Sequence, residues 1–242
     1  TDSAMAMAMG HVILKEFHLS GKSTYFHDYC QQYTDMPFLV KLEKKGERYV
    51  AGQTLRASEL SGNLGETENK DWKPVVFDGK SKSLKIPNGT VGARWDKSAK
   101  WNLEMKCAAD GSDIVPEMTF IDSKDEVVTV GFPYFGNLEN EQPIFNHSDH
   151  EGILNRNVPV KKIATAEGEV LVATVFDLMV TNYGIDRGLG GANVAKSFDE
   201  DIPYTPAWQE RFTGVPAAKV IKVAREFADN ADKTHGRSMV IL

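Results

Sequence analysis

The spacing of apolar residues predicts helices at the start of the chain. A polar cap at residues 2–3 precedes alternating alanine and methionine, and further apolar residues follow at 12–17. This pattern predicts a first helix that begins at once and is apolar, and therefore buried, on most sides. A second, aromatic-rich helix is predicted from residue 22 to about residue 33. Met36-Pro37 keeps it from continuing, because a helical conformation is disfavoured in the residue before a proline.

Between residue 38 and about residue 174, short apolar runs alternate with turn sequences. This spacing is typical of hairpins and predicts an irregular, β-rich subdomain with one short helical turn at 55–60. The apolar runs lie at 38–42, 75–77, 101–105 and 127–130, and the turns at 45–46, 78–79, 88–89, 110–111 and 167–168.

Helical spacing returns in the last part of the chain. A helix is predicted at 175–183, a second begins at Thr205-Pro206, and Pro216 opens the strongest one, which ends near Gly236. Its predicted core face holds Val220, Val223, Ala224, Phe227 and Ala228.

The apolar run at 238–242 predicts a strand inside a mostly parallel sheet. The sequence therefore indicates an α/β fold in three parts: helices at 1–36, an inserted β-rich subdomain at 37–174, and helices with a final strand at 175–242. Because the first helix and the final strand both need neighbours, we expect the chain to be a fragment of a larger protein.

Composition excludes several classes of protein. The chain has 242 residues, a net charge of -6 and a hydrophobic fraction of 41%, which are ordinary values for a globular protein. The acidic balance argues against nucleic acid as a partner, and no apolar run approaches the ~20 residues of a membrane-spanning helix. Cys30 and Cys107 lie far apart, so both are expected to be buried, reduced thiols.

Three groups of residues are candidates for chemistry. Two histidines and two carboxylates at 147–151 are suitable metal ligands, although a solvated loop is the alternative. The glycine-rich stretch at 188–193 is suited to phosphate binding or to a flexible loop. His11 and His18 are either ligands or structural histidines. These residues alone leave the function open.

Several motifs resemble a known family. The opening sequence TDSAMAMAMGHV is similar to a segment of the molybdopterin-guanine-dinucleotide oxidoreductases. Longer motifs narrow the resemblance to the large catalytic subunit of respiratory nitrate reductases, and together they span the chain. They are YTDMPFLV at 33–40, GFPYFG at 131–136, DLMVTNYG at 177–184, YTPAW at 204–208 and REFADNADKTHGRSM at 225–239.

The resemblance implies a Rossmann-like dinucleotide-binding domain and the reduction of nitrate to nitrite at a molybdenum held by two molybdopterin guanine dinucleotides. It also implies a 4Fe-4S cluster, an iron-sulfur beta subunit, a membrane cytochrome b gamma subunit supplying electrons from quinol, and a peripheral location on the cytoplasmic face of the bacterial inner membrane. The family's metal ligands precede the segment that begins at Thr1. This chain alone is therefore expected to hold no metal, to contain no catalytic residue and to be inactive.

Thr1 and Asp2 are the residues expected to contact the cofactor, because the matching pair in the family faces a dinucleotide at a helix N-terminus. The alternative is that Asp2 only caps its helix. Two other functions stay open: a related enzyme acting on chlorate, perchlorate or selenate, and a separate binding module.

Overall fold

The helices and the β-rich region lie in the predicted order along the chain, although the strand at Gly152–Thr165 was not predicted. The computed structural model describes residues 2–60, 73–88, 105–134 and 152–240. The α-helices are α1 (Asp2–Ile13), α2 (Thr24–Tyr33), α3 (Val175–Asn182), α4 (Pro206–Thr213) and α5 (Ala217–Thr234). The strands are β1 (Leu39–Lys45), β2 (Arg48–Thr54), β3 (Val76–Asp78), β4 (Ser83–Lys85), β5 (Glu126–Tyr134), β6 (Gly152–Thr165) and β7 (Gly168–Thr174).

Five of these strands close a barrel in the order β1-β2-β5-β6-β7. Neighbouring strands run antiparallel, except that β2 and β5 are parallel and pair only at Tyr49 and Val130. Strands β3 and β4 form a separate two-stranded sheet. The predicted turn at Lys45-Gly46 joins β1 to β2, and the one at Glu167-Gly168 joins β6 to β7. The hairpin prediction is confirmed at both places.

Two hydrophobic clusters lie on opposite faces of the barrel strands. Val40 and Ala173 belong to one cluster, while their neighbours Leu39 and Val172 belong to the other. Successive side chains of a strand point to opposite faces, so the barrel is covered on both sides. The first cluster also includes Ala4 of α1, Leu178 of α3 and Trp208 of α4.

Helix α1 is confirmed, but its predicted burial on most sides is wrong. The helix buries one face, through Ala4, Ala8, His11 and Val12. Met5, which points elsewhere, is 37% exposed. A π-helical turn at Leu14–Leu19 extends the helix. The outer face has little to pack against in the part of the chain that the structure describes.

Polar caps explain where helices α2 and α4 begin. The hydroxyl of Ser23 accepts a hydrogen bond from the amide of Phe26 at the start of α2, and that of Thr205 accepts one from the amide of Trp208 at the start of α4. Such caps satisfy amide groups that have no partner within the helix. Helix α5 ends where His235 takes a left-handed conformation, with φ of 54°.

The predicted core face of α5 is correct in part. Val220, Ala224, Ala228 and Ala231 are buried, but Val223 is 50% exposed. The buried residues recur at spacings of three and four, and Val223 precedes Ala224 by one residue, about 100° around the helix. The assignment of Val223 to the core is therefore wrong.

The strand predicted at 238–242 is not formed at residues 237–240, which have no regular secondary structure. A strand needs a neighbour to pair its backbone groups, and none of the strands described here pairs with this segment. Residues 241–242 lie outside the described part of the chain.

The α/β class is confirmed as a sheet packed with helices. All described strands lie between Leu39 and Thr174. The three-part division of the chain stays a prediction, since one core cluster draws residues from all three parts.

The two valines of α5 give a direct test of its burial in the 242-residue chain. Val220→Ala is expected to lower the free energy of unfolding by ~2 kcal/mol, because it leaves a cavity in the core. Val223→Ala is the matched control and should change it by less than about 0.5 kcal/mol. Urea denaturation measures both values. Equal losses for the two variants would contradict the assigned face.

Candidate functional site

The predicted site residues fall partly outside the described structure. Thr1 and the histidine-carboxylate cluster at 147–151 lie in residues that the structure does not describe. Asp2 is exposed in the first turn of α1. Its contact with a cofactor stays a prediction.

The glycine-rich stretch at 188–193 is bound to the barrel. The carbonyl of Leu189 accepts a hydrogen bond from the Asn157 side-chain amide at 2.9 Å. The amide of Gly188 donates to the Asp186 carboxylate at 2.8 Å, so an acidic group already occupies a position that a phosphate would need. The geometry favours a structural loop over a phosphate-binding one, and it holds this loop against β6.

The side chain of Arg156 in β6 places a charge fully inside the fold, with 0% of the residue exposed. Its Nε donates to the carbonyl of Asn193 at 2.8 Å, its Nη1 to that of Asn182, and its Nη2 to that of Pro203 at 3.1 Å. The guanidinium also lies 5.6 Å from the centre of the Tyr204 ring. Burial lowers the pKa of Arg156 to about 10, so the group stays charged at neutral pH.

His11 binds the same end of α3. Its Nδ1 lies 2.8 Å from the carbonyl of Tyr183, one residue after the carbonyl that Arg156 binds. A carbonyl only accepts, so Nδ1 carries the proton. Nε2 has no hydrogen-bond partner among the residues that the structure describes. Burial, helped by the positive charges of Lys15 and Arg156, lowers the pKa of His11 to about 4. His11 is therefore a neutral, structural side chain at pH 7.

A second buried network holds the other end of α3. The carboxylate of Asp177 accepts hydrogen bonds from the hydroxyl of Thr119 at 2.5 Å and from the amide of Phe120 at 2.7 Å. Arg187 forms an ion pair with this carboxylate. The side chain of Arg187 is 6% exposed and that of Asp177 is 0% exposed. Arg187 also donates to the hydroxyl of Thr181 at 2.9 Å. The network joins the segment around Thr119 to α3 and to the loop that follows it.

A cleft of about 740 Å³ lies beside this network. His18 lines it and stacks on Phe26 with ring centres 5.2 Å apart, and burial lowers the pKa of His18 to about 4. Other polar groups of the cleft already bind protein. The amide of Gln31 donates to the carbonyl of Pro116 at 2.6 Å, and Glu117 pairs with Lys82 at 2.7 Å.

The described residues do not fit a metal centre. Among them, no group of three or more histidines, cysteines, aspartates and glutamates could hold a metal ion. Cys107 is buried as expected, whereas Cys30 is only partly buried, so the expectation for Cys30 is wrong. This partial burial still raises the pKa of the Cys30 thiol to about 11, which disfavours the thiolate that a metal binds. Within the same residues, no helix is both long and apolar enough for a membrane span.

The comparisons with known proteins identify the segment. The respiratory nitrate reductase 1 and 2 alpha chains of Escherichia coli (strain K12) are 49% and 50% identical to it, and the nitrate reductase alpha chain of Bacillus subtilis (strain 168) is 44% identical. Each comparison covers 100% of this chain. The chain matches a segment of nitrate reductase alpha chains. It spans 19%, 19% and 18% of their length.

This result confirms the resemblance that the motifs predicted. No protein-family model matches the chain. Of the residues that matter most in the site, Asp177 and Asn182 fall within the DLMVTNYG motif. Arg156 and Arg187 were missed, because a single arginine in a polar stretch carries no pattern that marks it as buried.

Gly184 and Gly188 form a matched pair for testing the Arg156 site. Both have left-handed backbones, with φ of 72° and 75°. A Cβ atom at Gly184 would lie 2.4 Å from Nη2 of Arg156, whereas one at Gly188 would meet nothing within 4 Å. Gly184→Ala should lower the free energy of unfolding by roughly 3 kcal/mol, and Gly188→Ala by roughly 1 kcal/mol of backbone strain. Denaturation curves that do not distinguish the two variants would contradict the tight packing around Arg156.

The lowered pKa of His11 predicts a loss of stability in acid. The folded chain binds this proton less tightly than the unfolded chain does, in which the pKa of a histidine is near 6.5. The contribution of neutral His11 to the free energy of unfolding is therefore complete above pH 6.5, and it declines as the pH falls from 6.5 toward 4. NMR titration should show His11 neutral at pH 5.5, and the decline in unfolding free energy should be shallower in His11→Gln. A His11 resonance that titrates near pH 6.5 would refute the assignment.

Proposed function

We propose that this chain is part of the catalytic subunit of a respiratory nitrate reductase, which reduces nitrate to nitrite. The observation that supports the proposal is the match along the whole chain to proteins named nitrate reductase alpha chains, at 44–50% identity in the three compared. The reaction removes one oxygen atom from nitrate and consumes two electrons and two protons, giving nitrite and water.

In the complete subunit, the proposed cofactors are molybdenum bound by two molybdopterin guanine dinucleotides and a 4Fe-4S cluster. Electrons would come from quinol through a cytochrome b gamma subunit and an iron-sulfur beta subunit. The proposed location is the cytoplasmic face of the bacterial inner membrane. Part of a Rossmann-like dinucleotide-binding domain is proposed for the helices that flank the barrel.

The described residues of this chain act as a scaffold in this proposal. Their donor atoms do not converge on a metal centre. Instead, Arg156 and Asp177 fix the two ends of α3 against the barrel and its neighbouring loops. No step of the reaction is assigned to them, and the segment on its own is expected not to reduce nitrate.

A chimeric enzyme tests the proposal. The matching segment of the Escherichia coli nitrate reductase 1 alpha chain is replaced by these 242 residues, and the chimera is produced with its partner subunits. Nitrite formation with a reduced viologen dye should stay within about tenfold of the parent enzyme, equivalent to ~1.4 kcal/mol in activation free energy. A chimera that accumulates intact but forms no nitrite would refute the proposal.

Two controls sharpen this experiment. Asp177→Asn in the chimera leaves Arg187 buried beside a neutral group and should reduce the amount of assembled enzyme. Asp28→Asn is the matched exposed change, since the Asp28 side chain is 77% exposed, and should have no effect. Parallel assays with chlorate, perchlorate and selenate test the alternative substrates. The complete subunit from the organism that supplies this chain is assayed in the same way. If it reduces one of these oxyanions faster than it reduces nitrate, that oxyanion is favoured as the substrate.

A further inference from the structure

The cleft beside the Asp177 network has the size and the lining of a small-molecule site. Its volume of about 740 Å³ lies within the roughly 300–1,000 Å³ that is typical of ligand pockets. Apolar side chains from separate parts of the chain form most of its surface, among them Leu19, Pro116, Met118 and Phe176. Ligand pockets combine such a lining with a few polar groups that orient the bound molecule.

Hydrogen bonds hold the walls of the cleft together. The side-chain amide of Gln31 in α2 donates to the carbonyl of Pro116 at 2.6 Å. The carboxylate of Asp177 joins Thr119 to Arg187. These contacts lie within the protein and connect three of the segments that form the cleft, so its shape does not depend on a ligand. A preformed cleft loses little conformational freedom when it binds a molecule.

The π-helical turn at Leu14–Leu19 supplies a further wall. Lys15, His18 and Leu19 of this turn line the cleft. Turns of this type are rare in proteins and are frequently found at functional sites. The turn brings the imidazole of His18 to the cleft.

His18 has hydrogen-bonding capacity that the protein leaves unused. Its ring stacks on Phe26 with 16° between the ring planes, and the centre of the Phe176 ring lies 6.2 Å away. Among the described residues, neither ring nitrogen of His18 has a hydrogen-bond partner. Because burial keeps the pKa of His18 low, the ring is neutral at pH 7, and one of its nitrogens accepts a hydrogen bond. This acceptor is suited to an N–H group of a ligand.

Several charged groups of the cleft are already paired within the protein. Arg187 forms its ion pair with Asp177, and Glu117 forms one with Lys82. His27 lies beside a carboxylate of its own helix, at 3.4 Å. These groups are therefore not left to bind a charged ligand.

The remaining charges favour a cation as the ligand. Asp122 and Asp186 line the cleft, and neither forms an ion pair with another described residue. Lys15 is a cation in the lining, but its ammonium group donates to the carbonyl of Lys196 and lies 5.2 Å from the centre of the Phe198 ring. Neither of these two residues lines the cleft. The two carboxylates thus give the cleft a negative character.

We propose that this cleft binds a small organic cation that has an apolar body and N–H donors, such as an arylamine or an amidine. The apolar body packs against Met118 and Phe176, and the N–H groups donate to His18 and to the carboxylate of Asp186. An anion of the same shape is repelled by the carboxylates. The inference goes beyond the proposed function, because it assigns no part of nitrate reduction to the cleft.

Photoaffinity labelling tests the proposal in the complete subunit from the organism that supplies this chain, assembled with its own partner subunits. The probe is an aryl diazirine with an aminomethyl group, which is positively charged at pH 7, and mass spectrometry locates the labelled peptides. We expect label at 115–122 and 176–187, which line the cleft. Benzamidine should reduce this labelling about tenfold, whereas the same concentration of benzoate, similar in shape and negatively charged, should reduce it less than about twofold.

Two substitutions and a control assign the label to the named groups. His18→Phe keeps an aromatic ring beside Phe26 but removes the ring nitrogens, and should reduce labelling about fivefold. Asp186→Asn keeps an oxygen that accepts from the amide of Gly188 but removes the charge, and should cause a loss of similar size, about fivefold. Glu226→Gln in α5 is the matched control, because it removes an exposed carboxylate outside the cleft, and should leave labelling unchanged.

Each outcome decides the proposal. Equal competition by benzoate and benzamidine overturns it, as does equal labelling of His18→Phe and the Glu226→Gln control. Competition that needs more than roughly 10 mM benzamidine indicates adventitious binding and also overturns it. The same holds if no label reaches the cleft in the assembled subunit.

Two features of the experiment keep the result clear. If the His18→Phe subunit does not accumulate, Asp186→Asn and the competition between probes decide. The readout is independent of turnover. A labelled cleft in an enzyme that does not reduce nitrate contradicts only the proposed function, and an unlabelled cleft in an active nitrate reductase contradicts only this inference.

Discussion

The arrangement of barrel and helices depends on the buried guanidinium of Arg156. It reaches from β6 to carbonyl groups at the end of α3, in the glycine-rich loop and before α4. Within the described structure it has no carboxylate partner, so these carbonyls and the Tyr204 ring replace water around the charge. The cost of burying a cation makes this arrangement specific, because a displaced carbonyl would leave charge without compensation. Lysine could not replace it, since its single ammonium lacks the planar set of donors.

The ends of α3 show how this constraint extends through the fold. At the first end, Asp177 accepts from Phe120 and pairs with Arg187, which ties the barrel's neighbouring segment to the helix. At the other end, Arg156 and His11 bind the carbonyls of consecutive residues, Asn182 and Tyr183. A helix leaves its last carbonyls without partners, and Arg156 and His11 bind such groups at the end of α3. At its start, the hydroxyl of Thr174 caps the amide of Asp177, and the Asp177 carboxylate binds groups outside the helix. The eight-residue helix is therefore held at both ends by buried charged or polar side chains.

The sequence predicted the local structure better than the tertiary structure. Turn residues and proline positions located the hairpins and the start of α4, because they act through the backbone of their own residues. Strand β6 was missed, since Asn155, Asn157 and Pro159 disfavour a strand in isolation and the pairing with β5 and β7 overrides them. The closed barrel and the burial of Arg156 depend on contacts between distant residues, which periodicity does not contain. The family came from motifs rather than from physical patterns.

The protonation of His11 follows from the same buried charge. Its ring is held against the carbonyl of Tyr183 while Arg156 binds the preceding one, so two potential cations share one helix end. Protonating His11 would place a second positive charge in a site of low dielectric that already holds the Arg156 cation. The pKa of His11 is therefore low for two reasons, burial and the neighbouring positive charges, and burial is the larger. Because the imidazole of His11 is neutral, it does not compete with the Arg156 cation for the carbonyl groups at the end of α3. The end of the helix therefore stays bound to the barrel at neutral pH.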